Sequence, residues 1–341
     1  MANERQQLAT APAQMLQLLN AFLTVQALYV AADLRIADRL TERSMSVGEL
    51  ADSTGAHSAS LRRLLRLLAG AGVFREEADQ RFALTPIGET LRSEGPGSVR
   101  DWALFVGASE MWEAWGGLRE SVMTGEPAFP RAHGMSLWDY LARHPGLGTP
   151  FDRWMSQQSD QQNAAIVASY DFSPFGTLAD IGGGRGSTLA AILEANRSLR
   201  GILLDLPQVV ESHAALEAAR LLDRCEVVGG DMLQGVPGGA DVYLVKRVLM
   251  DWGDEEAATI LRNCVTAMPE EGRVLAVEMI LREDNKPSSS KVFDLLMLLV
   301  HPGARIRTES EFRDLFAAAG LRLNRVIATA SPNSILEGLR A

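Results

Sequence analysis

The chain has 341 residues, of which 47% are hydrophobic and 22% are charged, and its formal net charge is −10 at pH 7. That length exceeds what one hydrophobic core usually serves and predicts two domains, and the composition is typical of a soluble globular protein. The negative charge argues against sequence-independent binding of nucleic acid, because neutralising phosphates requires a surplus of lysine and arginine.

The first predicted element is a helix over 13–41. Its leucines recur at intervals of three or four residues, at Leu16, Leu19 and Leu23. A helix that is apolar around so much of its circumference must be covered on several sides, and a second copy of the chain is a natural source of that cover. Polar residues, among them Gln17 and Asp33, interrupt the apolar stretch from 15 to 40, so we expect no membrane span here.

Residues 46 to 92 predict two short helices followed by a hairpin. Ser46 and Glu49 form a capping-box pattern at the start of the first helix. Two strands are predicted at 73–74 and 81–84. This order is typical of a winged helix, a fold that binds DNA in many proteins and serves as a dimerisation module in others.

The second of these helices carries three arginines, so a DNA-binding regulator is one alternative for the function. These arginines are Arg62, Arg63 and Arg66. The overall acidity and the large region downstream argue against that alternative, and we expect no nucleic-acid partner.

Residues 98 to 170 predict further helices that are rich in tryptophan and methionine. Each such side chain is more often a core residue than a ligand contact, yet a cluster this rich also suits a wall for a flat aromatic ligand. We expect at least two of its members to line a pocket. With one methionine from a later apolar helix, the candidates for substrate binding are Trp102, Met111, Trp112, Trp154, Met155 and Met297.

From residue 178 onward, short apolar strands alternate with helical patterns. The strands are predicted at 178–181, 201–204, 225–228, 240–245 and 273–277. The first two intervening helices are predicted at 187–196 and 209–222. This order predicts an α/β fold, a doubly wound Rossmann-like domain whose parallel sheet has helices on both faces and binds its ligand at the carboxyl ends of the strands.

A glycine-rich turn and three acids mark these strand ends. Asp180-Ile-Gly-Gly-Gly-Arg-Gly ends the first strand and opens a helix, where glycines let the backbone approach a ligand. Asp205 ends the second strand, where a carboxylate can accept both ribose hydroxyls. Asp231 follows the third, where it can hold an adenine amine, with Met232 against the ring. Because the turn contains no lysine, the three acids favour a cofactor without phosphates, S-adenosylmethionine.

The chain resembles the small-molecule O-methyltransferases that use S-adenosylmethionine, both the plant caffeate type and the bacterial relatives in antibiotic biosynthesis. The glycine turn, Leu204-Asp-Leu-Pro-Gln-Val, Gly230-Asp-Met and Lys246-Arg-Val-Leu-Met-Asp-Trp-Gly-Asp-Glu carry the resemblance, in order and spacing. The front half is similar as well. Bacterial phenazine methyltransferases are the most similar in appearance, since they share the Gly-Gly-Asp-Met-Leu-Gln stretch.

The resemblance implies a domain plan and a set of cofactor residues. We expect a helical winged-helix dimerisation domain at 1–98, a helical linker and acceptor-pocket segment at 99–170, and a cofactor-binding α/β domain at 171–341. The partners implied are a second copy of the chain, through the N-terminal helices, and a small aromatic substrate. The residues predicted to bind the cofactor, the last of them by packing on adenine, are Asp180, Gly182, Gly184, Asp205, Leu206, Asp231, Met232, Lys246, Arg247 and Trp252.

The catalytic positions depart from the family pattern. The family's general base is a histidine immediately before Asp-Trp, and this chain has Met250 there, which cannot accept a proton. Of the family's two supporting acids, Glu278 is present and Ile306 replaces the other. His301 is the nearest substitute, either as a proton acceptor or as an orienting group. The catalytic candidates are therefore His301, Glu278 and Met250, and the histidines show no metal-ligand spacing.

Three functions are compatible with this pattern. The first is methyl transfer to a hydroxyl of a planar aromatic secondary metabolite such as a phenazine, or to a ring nitrogen, with an acceptor that needs little help from a base. The second is non-methylating chemistry of the hydroxylase or pericyclase type that keeps the cofactor. The third is the DNA-binding regulator, which the intact cofactor motif makes the weakest of the three.

The cysteines and the N-terminus indicate the compartment. Cys225 and Cys264 form neither a disulfide framework nor a CxxC pair, and both lie in apolar surroundings. The first residues show no signal-peptide pattern. We therefore expect two buried free thiols in a cytoplasmic protein.

Overall fold

The computed structural model describes residues 2–95 and 97–341, with side chains from Thr10 onward. The chain forms two compact units. The first contains the residues up to Glu113 together with Trp138–Trp154, and the second contains Ala114–Leu137 together with Met155–Ala341. The predicted middle segment, 99–170, contributes helices to both units.

The first unit begins with α1 (Ala2–Asp33) and α2 (Ile36–Arg39). The single predicted helix over 13–41 is therefore wrong at its end, because Arg35 has a φ of 54°, a left-handed conformation that ends a right-handed helix. The outer part of α1 is uncovered in this chain. Its exposed apolar side chains are Met15, Leu16, Leu18, Leu19, Phe22 and Leu23.

The polar residues do not by themselves exclude a membrane span, so the expectation of none stays a prediction. Thr10–Asp33 is long and apolar enough to cross a bilayer, judged by length and composition alone. The interrupting residues in this stretch are uncharged, apart from Asp33 at its end, so they lower the hydropathy only moderately.

The predicted pair of helices and hairpin is present. The elements are β1 (Met45–Ser46), α3 (Val47–Thr54), α4 (Ser58–Gly70), β2 (Phe74–Glu76), β3 (Arg81–Leu84) and α5 (Pro86–Glu89). Ser46 and Glu49 form the predicted capping box. The strands make a small antiparallel sheet in the order β1-β3-β2.

Two of the arginines that raised the DNA-binding alternative pair with an acid of the hairpin. Arg66 Nε lies 3.2 Å from a Glu76 carboxylate oxygen, and Arg62 Nη2 lies 3.9 Å from the same oxygen. This pairing neutralises part of the positive charge on α4, and so weakens the case for phosphate binding.

Six helices lie between α5 and the next strand. They are α6 (Arg100–Gly107), α7 (Ser109–Gly116), α8 (Leu118–Thr124), α9 (Ala128–His133), α10 (Leu137–Arg143) and α11 (Pro145–Ser169). In the first unit, α1 and α6 cross very closely at Gly107. A Cβ atom on that glycine would lie 2.3 Å from the Tyr29 Cβ atom, so only glycine permits this crossing.

The second unit is built on a sheet of seven strands. These are β4 (Thr177–Ile181), β5 (Arg200–Asp205), β6 (Cys225–Gly229), β7 (Val242–Lys246), β8 (Arg273–Met279), β9 (Leu321–Ala328) and β10 (Asn333–Arg340). Their order is β6-β5-β4-β7-β8-β10-β9. From β6 to β8 the neighbouring pairs are parallel, and β10 runs antiparallel to both β8 and β9.

Helices follow most of these strands. They are α12 (Ser187–Ala195), α13 (Pro207–Val210), α14 (Ala214–Ala218), α15 (Asp254–Ala267), α16 (Ser289–Val300) and α17 (Glu309–Ala318). Two apolar cores contain inward-facing side chains of alternate strand residues, for example Ile181 in one and Leu178 in the other. The predicted α/β fold with a doubly wound sheet is confirmed.

Two local predictions for this unit are wrong. The helix predicted over 209–222 is broken into α13 and α14, because His213 takes a non-helical conformation between them. The sheet is mixed rather than parallel, since β9 and the antiparallel β10 lie beyond the five strands that the sequence predicted.

The strand order places a reversal between β4 and β7. From β4 the chain proceeds outward through β5 and β6, then returns to the other side of β4 with β7 and β8. In open α/β sheets, the crevice outside the carboxyl ends of the strands at such a reversal binds ligands. The glycine turn after β4 and Lys246 at the end of β7 both lie at this edge.

Candidate active site

The glycine turn after β4 has the shape that the sequence predicted. Gly182, Gly184 and Gly186 all have φ between 60° and 81°, a region that other residues rarely adopt. A Cβ atom on Gly182 would lie 2.7 Å from Val248 Cγ2, so a side chain there would collide with Val248. The space at Gly184 is open, because a Cβ atom on that residue would have no atom of the described residues within 4 Å beyond its chain neighbours.

Asp205 closes this turn from the neighbouring strand. One of its carboxylate oxygens accepts a hydrogen bond from the Gly184 amide at 2.8 Å, and the other accepts one from the Leu206 amide at 2.7 Å. These bonds fix the carboxylate at the end of β5, with acceptor capacity left on both oxygens. The arrangement suits two hydroxyls of a ribose, and half-buried Asp205 is accessible to them.

Asp231 and Met232 follow β6 in the same region of the sheet. The exposed Asp231 carboxylate accepts a hydrogen bond from the Leu233 amide at 2.9 Å, which fixes its orientation. Asn263 on α15 donates to the Met232 carbonyl at 2.8 Å. Met232 packs on the sheet core, so its thioether is supported from below as a surface for a flat ring.

Lys246 lies in a polar network that the sequence did not predict. Its amine donates to Asn163 Oδ1 at 3.1 Å and to Thr188 Oγ1 at 3.2 Å. Thr188 also donates to Asn163 Oδ1, at 2.9 Å. Burial lowers the pKa of Lys246 to about 8, while the nearby Asp180 opposes that change. The network joins the end of β7 to the first turn of α12 and to α11.

Asp180 lies beneath the glycine turn rather than in the open crevice. Its carboxyl is buried, and neither oxygen has a hydrogen-bond partner among the residues that the structure describes. Burial raises the pKa of Asp180 to about 7, although Lys246 acts in the opposite direction. This enclosed side chain offers almost no surface for direct contact with a ligand, and its predicted cofactor role stays a prediction.

The segment after β7 forms a short 3-10 turn, Leu249–Asp251, which carries Met250. Glu278 at the end of β8 accepts hydrogen bonds on Oε1 from the Val248 amide at 3.0 Å and the Leu249 amide at 2.8 Å. Glu278 is fully buried, and burial together with nearby Asp251 raises its pKa to about 8. This carboxyl therefore holds the turn and offers no surface to an acceptor.

Arg307 holds the same turn from its carbonyl side. Its guanidinium is fully buried and donates to the Leu249 carbonyl at 2.6 Å and to the Trp252 carbonyl at 2.8 Å. A third bond reaches Asp254 at 2.9 Å. The turn is thus clamped by a carboxyl on its amides and a guanidinium on its carbonyls, and the bonds from the guanidinium are charge-assisted.

His301 follows α16 and lies against the ring of Trp252. The two ring centroids are 5.9 Å apart in an edge-on arrangement. His301 Nδ1 lies 3.0 Å from the Pro302 carbonyl oxygen, which can only accept, so Nδ1 is the donor in this hydrogen bond. Met250 is almost completely buried beside this site.

Arg247 lies between β7 and the clamped turn. Its backbone adopts a φ of 53°, an uncommon conformation for a residue with a side chain. Its guanidinium lies 5.7 Å from the centroid of the Phe293 ring on α16. Strained backbone of this kind concentrates at functional sites, because the surrounding structure must hold it in place.

The predicted substrate residues divide between the two units. In the first unit, Trp102 stacks on Trp154 with centroids 5.5 Å apart, and Trp112 lies 6.2 Å from Phe22. Met111 is fully buried, so the contact predicted for it has no open surface and the residue belongs to the core. In the second unit, Met155 is half-buried on α11 and Met297 is buried on α16.

Four residues of the site escaped the sequence analysis. Asn163 and Thr188 were only weakly indicated by the sequence. Asn163 is one of several polar residues in a long helix, and Thr188 lies in the first helical turn after the glycines. Asp251 follows Met250 directly in the motif that begins at Lys246, and this position beside the missing base could have identified it. Arg307 had no such indication, because its partners are backbone carbonyls far away in the sequence.

Two family models match the chain. An O-methyltransferase dimerisation domain matches residues 16–94, and an O-methyltransferase domain matches residues 115–322. A phenazine O-methyltransferase of Lysobacter antibioticus is 43% identical over 324 residues, which cover 95% of this chain and 94% of that protein. The structure of a mitomycin 7-O-methyltransferase superposes with a TM-score of 0.90 at 39% identity and covers 99% of this chain and 100% of its own.

Other relatives bear on the cofactor and on the chemistry. An O-methyltransferase from neocarzinostatin biosynthesis was solved with S-adenosylmethionine and 2-hydroxy-5-methyl naphthoic acid; it is 34% identical, has a TM-score of 0.81, and covers 93% of this chain and 96% of its own. An aclacinomycin 10-hydroxylase of Streptomyces purpurascens is 37% identical and covers 91% of this chain and 84% of its own length.

The crevice at the sheet edge, the glycine turn and the Asp205 carboxylate agree with these matches, which extend over nearly the whole chain. The chain belongs to the O-methyltransferase family, and it is an S-adenosylmethionine-dependent O-methyltransferase of the antibiotic-biosynthesis type, with an O-methyltransferase dimerisation domain at its front.

Proposed function

We propose that the enzyme methylates a hydroxyl of a planar aromatic secondary metabolite, with a hydroxyphenazine as the first candidate. The proposal rests on the turn Leu249–Asp251, in which buried Met250 occupies the position of the family's base. The cofactor residues beside this turn are nevertheless retained. A phenazine O-methyltransferase at 43% identity supports the acceptor class.

The cofactor supplies a methyl group on a positively charged sulfur, which makes that methyl open to attack by an acceptor oxygen. Asp205 holds the ribose hydroxyls, and Asp231 with Met232 holds the adenine. Gly182 and Gly184 let the cofactor approach the backbone, with Leu206 beside them. Trp252 packs on the adenine, and Lys246 with Arg247 borders the crevice from the end of β7.

The side chains around the acceptor act mainly by alignment. His301, which lies edge-on to the Trp252 ring, helps to orient the acceptor. Met250 supports the acceptor ring through packing, and Glu278 positions the turn that carries Met250. Trp102, Trp112, Trp154, Met155 and Met297 remain our candidates for acceptor contacts.

Without a strong base at Met250, the acceptor's own acidity decides the rate. An ordinary phenol has a pKa near 10, and each unit by which the ring system lowers it removes about 1.4 kcal/mol that a base would otherwise supply. We therefore expect kcat/KM at pH 7 to rise as the acceptor's pKa falls, in a panel of planar hydroxyarenes that begins with hydroxyphenazines.

The panel also includes caffeate, which we expect to be a poor substrate. The advantage of acidic acceptors should fade above about pH 9, where ordinary phenols begin to ionise. Product mass and the site of methylation are the measurements. Methylation on a ring nitrogen would favour N-methylation over O-methylation of the same class of acceptor. A preference for caffeate over every tricyclic acceptor would contradict the proposed acceptor class.

A second candidate is non-methylating chemistry that uses the cofactor's positive charge. The missing base and the hydroxylase at 37% identity favour it. Turnover of an acceptor under saturating cofactor, with no mass gain from it, would distinguish this candidate from methyl transfer. The regulator alternative predicts retardation of duplex DNA at micromolar protein and near-physiological salt, which we do not expect.

We also propose that the enzyme is a cytoplasmic homodimer built on α1. The dimerisation-domain match begins at residue 16, and the apolar side chains of α1 from Met15 to Leu23 are exposed in the single chain. A second copy would remove this apolar surface from water, which makes dimerisation favourable. Because the second copy would cover these apolar side chains, α1 would not need a membrane to shield them from water.

The variant Leu16→Glu/Leu19→Glu should be monomeric at micromolar concentration. Both leucines are exposed, at 58% and 60%, so the glutamates cost little in the monomer but place charges in the proposed interface. Light scattering measures the mass. Leu222→Glu is the matched control, since Leu222 is exposed at 44% in the second unit. A double variant as dimeric as the control would contradict the assignment to α1.

A further inference from the structure

Asp251 is the last residue of the clamped turn and stands between Met250 and Trp252. Its side chain is partly exposed, and its carboxylate makes no hydrogen bond or ion pair within the part of the chain that the structure describes. A partly exposed carboxylate without a protein partner keeps both oxygens free to accept a hydrogen bond or a proton.

Two charged groups lie close enough to interact with the charge of Asp251, and a third acts on one of them. Arg247 at the end of β7 attracts its negative charge, and Glu278 at the end of β8 lies close enough for the charge of Asp251 to raise the pKa of Glu278. Arg307 holds the carbonyls on either side of the turn and lowers the pKa of Glu278. Burial raises the pKa of Asp251 to about 7, and Arg247 opposes that rise.

Of the two carboxyls, only Asp251 can meet an acceptor. Glu278 is completely enclosed, and its Oε1 is occupied by the Val248 and Leu249 amides. The pKa of Asp251 is about 7 and that of the enclosed Glu278 is about 8, so Asp251 ionises first as the pH rises, and its charge helps Glu278 to keep its proton.

We infer that Asp251 accepts the proton of the acceptor hydroxyl, in place of the histidine that Met250 replaces. This inference rests on the proposed function. In the step, the acceptor's O–H bond breaks and its proton moves to an Asp251 oxygen. The freed electron pair forms the oxygen–methyl bond, the methyl–sulfur pair stays on sulfur, and the protonated carboxyl later loses its proton to water.

Asp251→Asn tests the inference by its dependence on the acceptor. With a hydroxyarene of pKa near 10, the variant should lose activity on the order of a hundredfold, because a proton must be taken. With an acceptor already ionised at the assay pH, the loss should stay below about tenfold, because no proton remains to be taken. A merely structural defect would lower both rates equally.

The pH profile gives a second readout. With the weakly acidic acceptor, the wild-type kcat/KM should rise with pH through about 7, as Asp251 ionises. Asp251→Asn should lose this rise, whereas His301→Ala and the control Glu255→Gln should keep it. Glu255 is an exposed acid in the first turn of α15.

A third readout needs no turnover. In the complex with S-adenosylhomocysteine, the absorbance of a bound hydroxyarene should show the phenolate at a higher pH in the wild type than in Asp251→Asn, because the charge of Asp251 beside the hydroxyl disfavours a second negative charge. Equal loss with both acceptors, or an unchanged pH profile and absorbance, would overturn the role of Asp251. Absence of any methylation by the wild type would instead contradict the proposed function, and the absorbance comparison would still test Asp251.

Discussion

Replacing Asp205 by alanine should weaken the binding of S-adenosylmethionine about a thousandfold. Two ribose hydroxyls would lose their charged acceptor, at ~2 kcal/mol each, and a total of ~4 kcal/mol corresponds to a thousandfold change in Kd. The Gly184 and Leu206 amides would also lose their partner, which loosens the turn. Calorimetry should move Kd from the micromolar into the millimolar range.

The control for this variant is Glu211→Ala, which removes an exposed acid shortly after α13. Its affinity should equal that of the wild type. Asp205→Asn should bind with intermediate affinity, because an amide oxygen still accepts one hydrogen bond but carries no charge. An affinity for Asp205→Ala within threefold of the control would remove the ribose from this carboxylate.

Of the substitutions proposed for this protein, Arg307→Met should cause the largest loss of stability. The substitution removes three charge-assisted bonds at once and leaves the Leu249 and Trp252 carbonyls without partners in a buried site. Breaking a buried charged network by removing one member costs ~3–5 kcal/mol. We expect thermal unfolding of the second unit to shift down by about 10 °C, since about 2–4 °C is lost per kcal/mol in domains of this size.

Arg305→Met provides a matched comparison two residues away. Arg305 also reaches Asp254, at 3.0 Å, but its side chain is 40% exposed. Exposed pairs contribute at most about 1 kcal/mol, so its unfolding temperature should change by a few degrees at most. Equal shifts for the two variants, measured by calorimetry, would mean that the buried clamp contributes no more than a surface pair.

The cofactor-binding edge of the sheet was predictable from the sequence, because it follows from a short glycine motif and from the pairing of neighbouring strands. A glycine turn after a strand requires backbone of positive φ, and Asp205 at the end of the next strand lies beside it in any parallel sheet. The capping box of Ser46 and Glu49 was predictable for the same reason, since its two bonds span only three residues.

The clamp was not predictable, because its bonds connect distant parts of the chain. Arg307 reaches the Leu249 carbonyl across 58 positions, and Glu278 reaches the Leu249 amide across 29. No local residue pattern records a side chain that binds backbone so far away in the sequence. The resemblance assigned Glu278 to the support of a base, whereas its carboxyl binds the amides of the turn.

The errors in the first helix and in the sheet have a similar origin. The apolar pattern of 13–41 continues through Arg35, so only the left-handed backbone at that residue reveals the break. The antiparallel strand β10 depends on pairing with β8 and β9, which short-range patterns do not encode.

The transfer of a labelled methyl group tests the central claim most directly. The enzyme is incubated with S-adenosylmethionine that carries an isotopically labelled methyl and with a hydroxyphenazine, and the product is analysed by mass spectrometry. We expect the product to gain one labelled methyl on oxygen, and Asp205→Ala to form it only at much higher cofactor concentration. Consumption of the acceptor under saturating cofactor, with a product that contains no label, would contradict methyl transfer as the function.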